Sequence, residues 1–375
     1  MKRLLVAAAA AVAVSAAMIP VARATNDNGS KFTMAVYGDS PYGNTANIDQ
    51  NELGLTPAFI NQINADADVR LVAHVGDIHS GSDYCSLQYD QQIASLWENF
   101  EDPLVYTPGD NEWSDCWKTK EGIQDPLTNL GYVRDTFFKA PGQTLGRENM
   151  HVTSQATDYD RQHPEYKQYI ENVMFENKRI MFVTLNIPGG SDNDTDAWGT
   201  LENQTAREAE RNLRTAADLS WLDHAFATAA TNGDKGLVII QQADMWSFEE
   251  TASHLGHYHD FATHIRDNTA AFGKPVLLFE GDSHKYRSDN PLQSGAPCVT
   301  ESSPTTDAVC SSDVWDRQST SLPAEQASLF HRVVVHGSTT PLQWIKLTVD
   351  ANANNTPSDH AFGPFSWVRI NTGLH

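Results

Sequence analysis

Four phrases in this chain place an aspartate behind a hydrophobic run and a glycine. VYGDS presents Asp39, HVGDI presents Asp77, TPGDN presents Asp110 and FEGDS presents Asp282. Carboxylates are hard oxygen ligands suited to divalent cations, and the last phrase adds an imidazole, His284, two residues further on. A single Gly-Asp step after a strand is an ordinary turn and decides nothing. Here the step recurs at the same place in the pattern, whereas Gly233-Asp234 precedes its strand and serves as the chance control. Four carboxylates gathered at one place repel one another unless positive charge sits among them, and a divalent metal is the economical source of it.

The elements that must position these residues are legible as alternation. Apolar runs at FTMAVY, VRLVAHV and PLVYT are separated by LTPAFINQINAD and SLQYDQQIASLWENF, whose apolar residues have helical spacing. That order is βαβα and predicts a parallel sheet with right-handed crossovers, so Asp39, Asp77 and Asp110 should meet at one sheet edge. Further along, VMFENKRIMFVTLN reads as a hairpin turning at residues 176–179, and PGGSDNDTDAWG reads as a loop. A long helix ending at Asn232-Gly233 follows, then the strand GLVIIQQ, a helix near 257–272 and the strand PVLLFEGDSH. The tail offers strands at RVVVH, QWIKLTV and FSWVRI with no helix between them, which predicts antiparallel pairing. Residues 288–327 are rich in Ser, Thr, Pro and Asp and read as a long surface excursion. The expected class is α/β.

The first 24 residues carry Lys2 and Arg3 ahead of an Ala/Val-rich run and close on Ala22-Arg23-Ala24, the pattern of a cleaved secretory leader. The remaining 25–375 read as one domain, with no segment apolar enough to span a membrane, and the expected location is secreted or periplasmic. Losing the leader moves the formal charge from −22 to −25, which disfavours polymeric nucleic acid and anionic membrane surfaces as partners. Small phosphorylated substrates, approached through bound cations, fit better. The four cysteines, Cys85, Cys116, Cys298 and Cys310, suit disulfides in an exported chain and contain no C-x-x-C. Of three pairings, the layout favours Cys85 with Cys116, on loops after neighbouring strands, and Cys298 with Cys310, within the excursion.

The ordered set GD, GD, GDNE, QQAD, GDSH resembles the calcineurin-like metallophosphoesterases, relatives of the purple acid phosphatases. The resemblance runs from about Phe32 to Val349 and includes the helix phrase DLSWLDHAF. It implies a four-layer αββα sandwich of mixed sheets, with one or two divalent metals at the carboxyl ends of the strands and hydrolysis of phosphate mono- or diesters. Carried over by position, Asp39 and Asp77 are metal ligands, with Asp77 bridging. Asp110 stands where the family has a metal-binding asparagine, and Asn111 where it has a histidine that assists the leaving group. Gln242, or else Gln241, takes the place of a histidine ligand; Asp282 replaces another, and His284 keeps its own. Pro41 stands where a first-motif histidine is usual and cannot ligate through its side chain. These exchanges harden the site, favouring Mn, Fe, Mg or Ca over Zn, and they leave one tightly held ion as an alternative to two.

Other candidates divide. His79, beside Asp77, is a candidate catalytic group with Asn111, whereas His74 reads as a hydrogen-bonded core residue. His254, His257 and His259 read as a polar helix start. Trp113 and Trp117 suit the core or a pocket wall. The function expected is an exported metal-dependent phosphoesterase; the alternative is a phosphoesterase-like scaffold that binds a ligand or Ca²⁺ without catalysis.

Overall fold

The computed structural model describes residues 31–43, 51–193, 197–311, 315 and 317–375. The leader at 1–24 lies outside the described residues. In chain order the elements are β1 (Lys31–Tyr37), α1 (Glu52–Asn64), β2 (Val69–His74), α2 (Leu87–Trp97), β3 (Leu104–Tyr106), α3 (Pro126–Phe137), β4 (Thr153–Ser154), β5 (Val173–Asn177), β6 (Ile180–Thr184), α4 (Gly189–Asn193), α5 (Gln204–Asn232) and β7 (Gly236–Ile240). There follow α6 (Ala252–Leu255), α7 (His259–Phe272), β8 (Val276–Glu280), β9 (Arg287–Asp289), β10 (Val299–Ser303), β11 (Thr306–Val309), α8 (Ala324–Ala327), β12 (Phe330–Val334), β13 (Gln343–Asp350), β14 (Ala361–Phe362) and β15 (Phe365–Asn371).

The strands form two mixed sheets, one ordered β14-β15-β13-β1-β2-β3 and the other β11-β10-β9-β12-β8-β7-β6-β5-β4. Strand β1 shows why they stack. Phe32, Met34 and Val36 face the second sheet and meet Phe182, Val238 and Phe279 there, while Ala35 and Tyr37 face outward onto Phe59 of α1 and Trp97 of α2. Both faces are apolar, so the strand reads as a continuous hydrophobic run rather than an alternation. The second sheet does the same, covering Leu237 and Ile239 with Trp221 and Phe226 of α5 and Ile265 of α7. The layers are therefore helix, sheet, sheet, helix, as the resemblance implied. The β5–β6 hairpin turns through Lys178 and Arg179, at φ 51° and 63°, and α5 ends on Gly233 at φ 70°, both where the sequence placed them.

Three expectations change. Of the tail strands, β13 and β15 pair antiparallel beside β1, whereas β12 lies in the other sheet, antiparallel to β9 and parallel to β8. A parallel partner needs a long crossover, and the excursion after β8 supplies it. The start of that excursion is also not surface: Ser288 and Asp289 are buried in β9, because Arg332 and Arg287 neutralise the aspartate. Its exposed part is the β10–β11 hairpin, closed by Cys298–Cys310. Finally, the turn-like stretch after Pro188 begins as the short helix α4.

Candidate metal centre

Asp39, Asp77 and Asp282 follow β1, β2 and β8 with φ of 48°, 60° and 69°. This left-handed turn, which aspartate tolerates better than most residues, stops the strand and turns the side chain across the sheet edge. The glycine before an aspartate serves its neighbours. A Cβ on Gly109 would lie 2.1 Å from Asp77 Oδ1, and one on Gly281 would lie 2.4 Å from Asp39 Oδ2. Each missing side chain makes room for the carboxylate of another loop. Main-chain bonds lace the loops together: Asp39 N donates to Gly76 O at 2.9 Å, and Asp282 N donates to Asp39 Oδ1 at 2.8 Å.

Ligand atoms of Asp39, Asp77 and His284 all lie within 4.8 Å of one another. Tyr42 stands among them. Its hydroxyl donates to Asp77 Oδ2 at 2.8 Å and lies 3.2 Å from His284 Nε2. Sequence reading passed over Tyr42, although it follows Asp39 by three residues and brings an oxygen where Pro41 offers none. Asp39 Oδ2 is buried without a hydrogen-bond partner. Burial, with the charges of Asp110 and Glu112, holds the carboxyl groups of Asp39 and Asp77 far above the usual range. An orphaned oxygen beside two more ligands, in a crowd of carboxylates, fits a divalent cation.

Asp110 and Asp282 form a second group around Gln242. Its Nε2 donates to Asp110 Oδ1 at 2.8 Å and lies 3.4 Å from Asp282 Oδ1, while its Oε1 accepts from Gly189 N. Gln242 thus turns its amide nitrogen, not its oxygen, toward the carboxylates, and a cation there would be met by the oxygen only after the amide turned over. Gln241 points the other way, onto Glu280. Asn111 Nδ2 donates to Asp77 Oδ2 at 3.0 Å, to Tyr42 Oη at 2.9 Å and to the main-chain oxygen of His79 at 3.0 Å. The His79 ring lies elsewhere, edge-on to Tyr89, with Nε2 buried and unpartnered.

Supporting residues complete the frame. Glu112 Oε1 accepts from Asp77 N, Gly109 N and Tyr106 Oη, and so pins the two central loops, a role that nothing in its local sequence marks. His74 accepts from Gly76 N and donates Nε2–H to Ser40 O at 2.7 Å, and burial pushes its pKa down to about 4. It is the hydrogen-bonded core residue expected. Cys85 and Cys116 are joined and tether the loops after β2 and β3. His254 pairs with Glu250, and His259 bonds to the main chain of Gln318; neither is in contact with the carboxylates. Trp113 is wholly buried, with the Arg214 guanidinium over its ring.

No family model matches the chain, and no curated protein does. Among solved structures, a purple acid phosphatase isolated from yellow lupin (Lupinus luteus) seeds is similar at 12% identity and a TM-score of 0.42, over 91% of this chain and 54% of that one. The chain spans about half the length of that enzyme.

The buried carboxyls make a pH prediction. Burial pushes Glu52 and Asp115 up to about 7, Asp90 up to about 8 and Glu121 up to about 9. The native state then binds more protons than the unfolded chain, whose carboxyls titrate near pH 4, so stability falls as pH rises across that window. Thermal unfolding in a chelator should show a lower Tm at pH 8 than at pH 5, and a divalent cation should narrow the gap. An unchanged or rising Tm in the chelator would contradict the buried acidic centre.

Proposed function

We propose that this chain is an exported metal-dependent phosphoesterase acting on small phosphate esters. The observation that carries the reading is the convergence of Asp39, Asp77 and His284 on one point, at the carboxyl edge of an αββα sandwich. Asp39, Asp77 and His284, with the Tyr42 oxygen in reach, would hold one divalent ion; Asp110, Asp282 and Gln242 would hold a second, with Asp77 between them. When bound, the metal supplies the positive charge that orients the phosphoryl oxygens and lowers the pKa of an attacking water.

The chain's own side chains do the rest. Asn111 fixes Asp77 and Tyr42 through its Nδ2, and Glu112 and the Cys85–Cys116 bridge hold the loops at their spacing. A frame held in this way needs little reorganisation as charge develops on the phosphoryl group. Two disulfides support an oxidising destination, and among the described residues no helix is long and apolar enough to cross a membrane. The test is metal content of the purified mature protein beside turnover of a panel of aryl phosphate mono- and diesters. The reading expects bound divalent metal and chelator-sensitive hydrolysis. Bound Ca²⁺ with no hydrolysis of any ester would favour the non-catalytic scaffold.

A further inference from the structure

The Cys85–Cys116 bridge has a third group beside it. Glu121 is wholly buried there, held by the main-chain bond from Cys85 N to Glu121 O at 3.1 Å, and its Oε2 lies 4.0 Å from Cys85 Sγ. Its Oε1 is buried without a hydrogen-bond partner. The two sulfurs and a carboxylate oxygen of Glu121 all lie within 4.8 Å of one another. The disulfide gives that carboxyl nothing to bond, because it carries neither a hydrogen nor a charge.

Once the sulfur–sulfur bond is open, the same three groups are ligands. A dithiol reductant supplies the two electrons and two protons: its own thiols close into a disulfide, the Cys85–Cys116 bond breaks, and each sulfur becomes a thiol. A divalent ion then displaces both thiol protons and binds two thiolates. Bonds of about 2.3 Å to sulfur and about 2.1 Å to oxygen let one Zn²⁺ hold a sulfur and an oxygen roughly 4 Å apart, which Cys85 Sγ and Glu121 Oε2 already are. The main-chain oxygen of Asn111, 3.3 Å from Cys85 Sγ and 3.6 Å from Cys116 Sγ, offers the fourth ligand of a tetrahedral site. The charges of Lys118 and Lys120 act on Glu121 and offset the negative charge that three anionic ligands bring. Soft thiolates select Zn²⁺, whereas the carboxylates of the neighbouring centre suit harder ions.

We propose that Cys85, Cys116 and Glu121 form a second metal site, for Zn²⁺ or another thiophilic ion, that opens when the disulfide is reduced. The ion would tether the loops after β2 and β3 in the reduced chain, as the disulfide does in the oxidised one. The inference does not rest on the phosphoesterase reading, since none of the three residues belongs to the carboxylate centre.

The experiment uses protein carrying Cys298→Ser and Cys310→Ser, which leaves Cys85 and Cys116 as its only cysteines. A water-soluble phosphine opens the bridge, taking oxygen from water while the water's protons go to the two sulfurs, and free thiols are counted before metal is added. Cd²⁺ is the probe, because its bonds to thiolate absorb in the ultraviolet and its bonds to carboxylate do not. The expected result is a band that saturates at one Cd²⁺ in the reduced protein, is absent from the oxidised protein and is abolished by excess Zn²⁺. Glu121→Gln keeps both thiols and should weaken Cd²⁺ binding more than about tenfold, the low end for removing even a group that only supports a ligand. A bridge that stays closed in the folded protein, or two free thiols with no band, overturns the site. Unchanged affinity in Glu121→Gln overturns the assignment of the carboxylate as its third ligand.

Discussion

Asp77→Asn is expected to release the bound cation and abolish turnover together. Asp77 is held from three sides: Oδ1 accepts from Asn111 N at 3.2 Å, and Oδ2 accepts from both Tyr42 Oη and Asn111 Nδ2. An amide at this position turns one oxygen into a donor, which then faces donors already in place, and removes the charge that the cation needs. Removing a group that only supports a metal ligand typically costs about 10- to 100-fold in affinity or activity, so losing the central ligand should cost more than about 100-fold. Glu112→Ala sets the comparison. It takes away the acceptor shared by Asp77 N, Gly109 N and Tyr106 Oη without removing a ligand, and should fall within that 10- to 100-fold range. Asp234→Asn, at the opposite strand end, should leave metal content unchanged. Elemental analysis with kcat on an aryl phosphate reads all three variants. Full metal and full turnover in Asp77→Asn would remove Asp77 from the centre.

The second large effect concerns the departing alcohol. Asn111 has no titratable proton to give, and in the structure its Nδ2 is already shared among three acceptors. A positioned acid is worth about 10²- to 10⁴-fold, and a poor leaving group should miss most of that here. Good leaving groups barely need it. Aryl phosphates should therefore be cleaved much faster than alkyl phosphates, with a steep dependence of the chemical step on leaving-group pKa. Asn111→His should narrow the gap where metal binding survives, because an imidazole can carry the proton. A flat dependence in the native protein would show that another acid is in place. His79 is then the first residue to substitute, since its Nε2 is buried and has no partner.

Much of this was legible in one dimension, because the features involved are local. The alternation of β1, α1, β2, α2 and β3 fixed the direction of three strands, and direction alone carries Asp39, Asp77 and Asp110 to one edge. The two disulfides followed from the same layout. What the sequence could not settle depends on which atoms meet across loops far apart in the chain. Tyr42 reads as an ordinary residue of a turn until Asp77 and His284 close on it. Glu112 reads as one more acidic residue until three donors from other positions converge on it. The choice between Gln241 and Gln242 was open because neighbouring residues at a strand end point to opposite faces, and only the packed sheet says which face holds the carboxylates. The parallel seat of β12 was hidden because a long excursion can return the chain from either direction. Chain order thus determined the edge on which the carboxylates gather, and tertiary packing decided which oxygen, nitrogen and hydroxyl atoms face one another there, because hydrogen bonds and ion coordination depend on distances set only when the loops dock.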